Sequence, residues 1–206
     1  FGGYPKEGVL RSIADTLLIG NRIRAQDWQE VFELAVSELE KELSIEGESA
    51  DPRLYIRLSE LYNERVPIED RYLADSERVL RKAIDLAPQR PDSYYGLGVN
   101  LLNRGLSEAA IEIFQRALDL NPKNYKAHWM FGLALASTKR TDESIRELET
   151  AVEMGYDWRN LTDIRNLTQV YITIKRYDKL AAMYEEVVRV YPDDPQYHLF
   201  LANLYA

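Results

Sequence analysis

The stretch RALDLNP, residues 116–122, echoes KAIDLAP at residues 82–88, and the interval is 116 − 82 = 34 residues. In both copies Ala and Leu or Ile fall at helical spacing. A proline then ends the run, because proline donates no amide hydrogen and its ring clashes with the preceding turn. Other positions recur in the same frame: Leu97 becomes Phe131, Gly98 becomes Gly132, Leu101 becomes Leu135 and Ala117 becomes Ala151, each 34 residues on. Ala83 and Pro88 lead Ala117 and Pro122 by the same interval. One helix–turn–helix unit of this length cannot bury its apolar face alone, so copies stack and share a core.

Residues 91–124 resemble a tetratricopeptide repeat (TPR) almost in full, through Tyr94, Leu97, Gly98, Leu101, Gly105, Ala110, Phe114, Ala117 and Pro122. Gly98 and Ala110 are small enough to let two helices approach, and Phe114 and Leu101 fill the space between them. Gly105 suits a tight turn and Pro122 stops the second helix. Leu106 and Ile111 flank Ser107 as a hydrophobic staple around an N-cap. The resemblance implies an all-α fold, a right-handed α-solenoid of TPR-like helix–turn–helix repeats in one domain over residues 1–206. Its parts are a degenerate helical pair at 9–43, repeats at 52–90, 91–124, 125–160 and 161–194, and the first helix of an incomplete repeat at 195–206. Asp27 and Glu30 are placed to cap a helix in the degenerate pair, and Asp51-Pro52 and Asp194-Pro195 read as cap-then-proline helix starts. Extra residues around NERVPIEDRY, with Pro67, predict a longer loop in the first repeat, and two more fall around GYDW in the third.

The chain carries 26 Lys and Arg against 34 Asp and Glu, a net charge of −8. General affinity for nucleic acid or an anionic membrane is not expected, because clustered cations drive it. Absence of cysteine removes disulfides, thiolate metal sites and a thiol nucleophile. Apolar runs fall short of the ~20 residues of a membrane helix, and no secretion signal stands at the start. The opening FGGYPKEG, without Met, and an end inside a predicted helix read as a processed protein or a segment of a longer one.

No GxGxxG, P-loop, GxSxG or HExxH pattern occurs, and the carboxylates scatter over predicted exposed faces. The histidines, His128 and His198, share one repeat position two repeats apart, too far to share a metal. No catalytic residue, metal or cofactor is expected, and the protein reads as a non-enzyme. Asn160 and Asn166 open NLT triplets and are candidate glycosylation sites. Trp28, Trp129 and Trp158 read more readily as packing residues than as ligand platforms.

The resemblance also implies an inner groove lined by the first helix of each repeat. Projecting the TPR pattern puts Tyr95, Val99, Leu102, Trp129, Leu133, Arg165 and Gln169 there as partner-binding residues. This face is too apolar for the Asn- and Lys-rich clamp that some TPR proteins use on a C-terminal carboxylate. An apolar groove suits a helix or an extended hydrophobic segment. Turns within repeats carry Arg104, Lys139, Arg140, Lys175 and Arg176, and turns between repeats carry Asp157, Asp193 and Asp194, so opposite edges of opposite sign offer a glycan or side-by-side contact. At the far end Leu199, Phe200, Leu201, Leu204 and Tyr205 lack a second helix to cover them and form an end-to-end assembly surface, with Leu10, Ile13, Leu17 and Leu18 as its counterpart.

These readings point to a non-catalytic scaffold that binds a protein or peptide partner through its groove and open end. An alternative is a structural subunit assembling end to end, with further copies of itself as partner, into a filament. A narrower resemblance, carried by FELAVSELEKEL, the middle repeats and YPDDPQYHLFLANLYA, is to the TPR regions that follow the membrane spans of O-antigen ligase-like proteins. It implies an extracytoplasmic, cell-surface accessory domain for polysaccharide assembly.

Overall fold

In the computed structural model the described residues are 28–47, 50–65 and 71–206. They form ten α-helices and no strand: α1 Trp28–Glu46, α2 Pro52–Arg65, α3 Arg71–Leu86, α4 Pro91–Asn103, α5 Ser107–Leu120, α6 Tyr125–Ser137, α7 Thr141–Glu153, α8 Leu161–Thr173, α9 Tyr177–Val190 and α10 Pro195–Tyr205. Residues 9–27 of the degenerate pair lie outside the described residues, and with them Asp27, Leu10, Ile13, Leu17 and Leu18. Residues 66–70 of the predicted longer loop do too. The chain divides into two compact units, Phe1–Pro122 and Lys123–Ala206.

In the first unit α2 packs on α3 and α4 on α5, with α1 against α2 and α3 against α4. Phe32, Leu39 and Leu43 of α1 meet Leu54, Leu58 and Leu61 of α2 and Val79 and Ala83 of α3 in one buried cluster. The repeat frame explains the closest approach. A Cβ on Gly98 would lie 2.6 Å from Phe114 Cε1, so no larger residue fits without moving that ring. Ala110, Phe114 and Ala117 on the facing side of α5 are fully buried.

In the second unit α6 packs on α7, α8 on α9, α9 on α10, and α6 also meets α8. Gly132 plays the role of Gly98: its missing side chain lets Ser144 Oγ donate to the Gly132 carbonyl at 2.8 Å, and a Cβ there would stand 2.7 Å from Leu148 Cγ. Ala127, Ala134, Leu135 and Ala151 complete the contact.

The turn between α4 and α5 departs from expectation. Ser107 is the first residue of α5 rather than its cap; Leu106 holds the cap position and no side chain caps the helix. The backbone closes the turn instead. Leu106 N donates to Leu101 O at 2.9 Å across Gly105, which takes the left-handed conformation at φ 73°. This is a Schellman closure, which satisfies carbonyls that the helix end would strand. The same bond recurs from Arg140 N to Leu135 O, from Tyr156 N to Ala151 O and from Arg176 N to Tyr171 O. At two of these turns the left-handed residue is a lysine, Lys139 at φ 62° and Lys175 at φ 58°. The starts of α2 and α10 behave as the sequence predicts, with Asp51 accepting from Arg53 N and Asp194 from Gln196 N.

Candidate functional site

The predicted groove residues stand on first helices of the repeats in both units. On α4, Tyr95, Val99 and Leu102 are spaced by four and three, which puts them on one helical stripe. All three are half-buried, whereas Leu97, Gly98 and Leu101 of the same helix are buried. Tyr95 leans on Phe114 with ring centroids 6.3 Å apart. In the second unit Leu133 is half-buried, and Arg165 and Gln169 are exposed, Gln169 donating to Thr173 Oγ1 at 3.2 Å.

Trp129 differs from its predicted groove role. It is only 1% exposed, its ring stacks on Tyr156 at 4.3 Å between centroids, and its Nε1–H donates to Asp163 Oδ1 at 3.1 Å. A side chain so enclosed offers a partner no surface. Asp163 is itself buried, 7% exposed, and accepts from Tyr156 Oη at 2.8 Å and Asn160 Nδ2 at 2.6 Å as well. Asn160 in turn caps α8 by accepting from the amides of Thr162 and Asp163. The carboxylate therefore sits in the first turn of α8, where the helix dipole favours negative charge, surrounded by donors. The repeat frame gave no signal for this pair, since Trp129 is the fifth residue of the repeat at 125–160 and Asp163 the third of the repeat at 161–194.

Asn160, as a candidate glycosylation site, is exposed but has its amide committed to Asp163; Asn166 is half-buried inside α8. His128 pairs with Glu147, Nδ1 to Oε2 at 2.6 Å, and His198 Nε2 lies 2.8 Å from the Pro192 carbonyl. Tyr94, at the same repeat position, donates to the Pro88 carbonyl six residues back, as His198 relates to Pro192. No group of three or more metal-ligating side chains occurs among the described residues, and none of the described helices is long and apolar enough to cross a membrane.

Part of each charged edge is compensated by local pairs. Arg104 pairs with Glu77, Arg140 with Glu143, Arg176 with Asp178 and Arg159 with Asp157. The guanidinium of Arg176 holds the Asp178 carboxyl well below the usual carboxylate range, and Arg159 lowers that of Asp157 in the same way.

At the end of the second unit the five predicted assembly residues separate. Phe200 stacks on Tyr184 at 4.3 Å, and Leu201 and Leu204 pack against the core, because α10 lays one stripe on α9. Leu199 and Tyr205 stay outside, 64% and 63% exposed, with Tyr205 Oη donating to Glu185.

Each unit also has a cleft between two second helices with a first helix behind. The first unit's, of about 520 Å³, lies between α1 and α3 over Tyr55 and Leu58 of α2. The second unit's, of about 670 Å³, lies between α7 and α9 over Leu167 and Tyr171 of α8.

The comparison with known proteins agrees with this geometry. A family profile described as "Tetratricopeptide repeat" matches residues 71–125 and 100–155. Tetratricopeptide repeats thus cover residues 71–155 of the chain. Anaphase-promoting complex subunit 3 of Schizosaccharomyces pombe is 25% identical to it over 130 residues, which is 63% of this chain and 19% of that protein. The chain therefore spans about a fifth of that relative's length. Among solved structures, the thermophilic TPR protein TTC0263 of Thermus thermophilus superposes with a TM-score of 0.67 at 16% identity, over 97% of this chain and 98% of that one. MamA of Desulfovibrio magneticus RS-1 gives 0.69 at 16% identity, over 94% and 99%. YrrB, described as a TPR protein with an unusual peptide-binding site, gives 0.60 at 20% identity, over 81% of each chain. These likenesses establish an all-α, TPR-like solenoid fold.

Proposed function

We propose that this chain is a non-catalytic scaffold that holds an extended or helical apolar protein segment against the first helices of its repeats. The observation that carries this reading is the stripe of Tyr95, Val99 and Leu102 on α4, half-open while its neighbours on the same helix are sealed. The peptide-binding site described for YrrB supports the same use of a TPR surface. A partner that lays apolar side chains on such a stripe adds buried area at about 25 cal/mol per Å² before the cost of ordering it. The test is a displayed-peptide selection on the wild type and on Tyr95→Ala, Leu102→Ala. Enrichment of apolar peptides by the wild type, abolished in the double variant at unchanged helicity, supports the groove. Equal enrichment by both excludes it.

End-to-end self-assembly is a second reading, favoured by exposed Leu199 and Tyr205 on α10. Light scattering over a concentration series, beside Leu199→Glu, decides it: association lost in the variant supports assembly, and a monomer at every concentration for both sinks it. An extracytoplasmic accessory role, as in O-antigen ligase-like proteins, is supported by the sequence motifs alone.

A further inference from the structure

The cleft between α7 and α9 shares no residue with the stripe on α4 and has its own chemistry. Its floor is apolar and aromatic, with Leu148, Leu167, Tyr171 and Met183 all buried, and Trp158, half-buried, stands in its wall. The GYDW turn, two residues longer than the repeat requires, brings that indole to the cleft. Charged side chains line the mouth. Glu149, Glu153, Asp157 and Glu186 stand there against Arg159 and Lys179, a formal balance of 2 − 4 = −2.

Both cations are already engaged, Lys179 with Glu149 at 2.6 Å and Arg159 with Asp157 at 2.8 Å. Glu153 and Glu186 complete the opening; Glu186 also meets Arg189, which is not part of the lining, at 3.1 Å and lies in the field of Arg159, so with Arg189 counted the rim carries 3 − 4 = −1. An apolar, aromatic depth under a negative rim is complementary to one kind of side chain: an aliphatic stem with a cationic head. Arg and Lys bury such stems along apolar surface, and their heads are attracted both to carboxylates and to aromatic faces. Nucleic acid and anionic lipid are repelled by the same rim.

We propose that this cleft receives an arginine or lysine side chain from an extended, basic segment of a partner protein. The stem lies along Trp158 and Tyr171 and the head is held by Glu153 and Glu186. The site is separate from the first-helix stripe, so the scaffold grips a partner at two chemically different places.

The probe is the terminally blocked peptide Gly-Arg-Leu-Arg-Gly, titrated into the full chain while the Trp158 indole N–H resonance is followed by NMR, with Trp158→Phe for assignment. A saturable shift is expected, absent with Gly-Gln-Leu-Gln-Gly and Gly-Glu-Leu-Glu-Gly. Glu153→Lys with Glu186→Lys should weaken the Arg peptide at least about tenfold. Both positions are exposed, so the fold survives the change, and Glu153→Gln with Glu186→Gln provides a milder check in the same direction. Tyr95→Ala with Leu102→Ala should leave the titration unchanged, which separates this site from the stripe. No saturable shift, an equal response to the Gln peptide, or full affinity after charge reversal would overturn the proposal.

Discussion

The clefts of the two units occupy equivalent places and carry opposite charge. Between α1 and α3 the lining includes Arg78, Arg81 and Lys82 against Glu40 and Asp85, a balance of 3 − 2 = +1, whereas between α7 and α9 it is −2. Both are floored by aromatic and aliphatic side chains of the intervening first helix, Tyr55 and Leu58 in one and Leu167 and Tyr171 in the other. The repeat fixes where large and small residues fall because volume errors in a packed core are costly. It leaves the outward positions of second helices free, so charge there varies without disturbing the fold. The shape of each cleft comes from the repeat, and its chemistry from residues the repeat does not constrain.

The supports beneath the clefts differ as well, and that difference can be broken. Asp163→Ala should have the largest effect, because it strands the Trp129 N–H and the Tyr156 hydroxyl in a buried place. A loss of about 3 kcal/mol is expected in denaturant unfolding. The first unit's nearest counterpart, Tyr62 donating to Glu40, should yield only about 1 kcal/mol on Tyr62→Phe. Equal losses would mean that the buried carboxylate is not what holds the second unit's floor. Next in size, Gly98→Ala and Gly132→Ala should each cost about 1–3 kcal/mol by overpacking against Phe114 and Leu148. A smaller cost at Gly132 would show that Leu148 yields where the Phe114 ring does not.

Alkaline pH sharpens the contrast. Burial raises the hydroxyls of Tyr62 and Tyr171 above the free-tyrosine value, and at Tyr62 the hydrogen bond and charge of Glu40 add to it. A raised folded-state value makes the contribution complete below pH 10 and loses it as pH climbs through the folded value. Stability measured from pH 9 upward should therefore fall, and Tyr62→Phe should remove more of that fall than Tyr171→Phe. The smallest effect concerns the turns. Lys139→Gly should stabilise by about 0.5 kcal/mol, because a left-handed conformation costs a side-chain residue more than glycine. Gly105→Lys in the first unit should move stability the other way by a similar amount.

Much of the fold was legible in the sequence because helix pairing is decided by a few sizes in a fixed frame. Gly98 and Gly132 sit where a larger residue must displace a neighbour, Ala117 and Ala151 are fully buried, and Asp51 and Asp194 start helices through their own side chains. The turns were half legible. Gly105 announces a left-handed residue, but Lys139 and Lys175 hide one, since the Schellman bonds that impose it are made by backbone atoms. The α4 stripe was readable as helical spacing. Trp129 was not, because its burial depends on Asp163 and Tyr156, and an aromatic residue at a groove position gives no sign that a carboxylate of the next repeat will take its N–H. The cleft lay furthest from reach: its carboxylates look like solvated surface until folding gathers them around one opening.

The stacked pair of Trp129 and Tyr156 has an optical consequence. Two immobilised chromophores with centroids 4.3 Å apart couple their electronic transitions, and the chiral frame around them makes that coupling visible as near-ultraviolet circular dichroism. The band depends on ring separation and mutual tilt, so it dims when the GYDW turn loosens even while every helix persists. The second unit thus carries a built-in gauge of its own tightness, readable without a label.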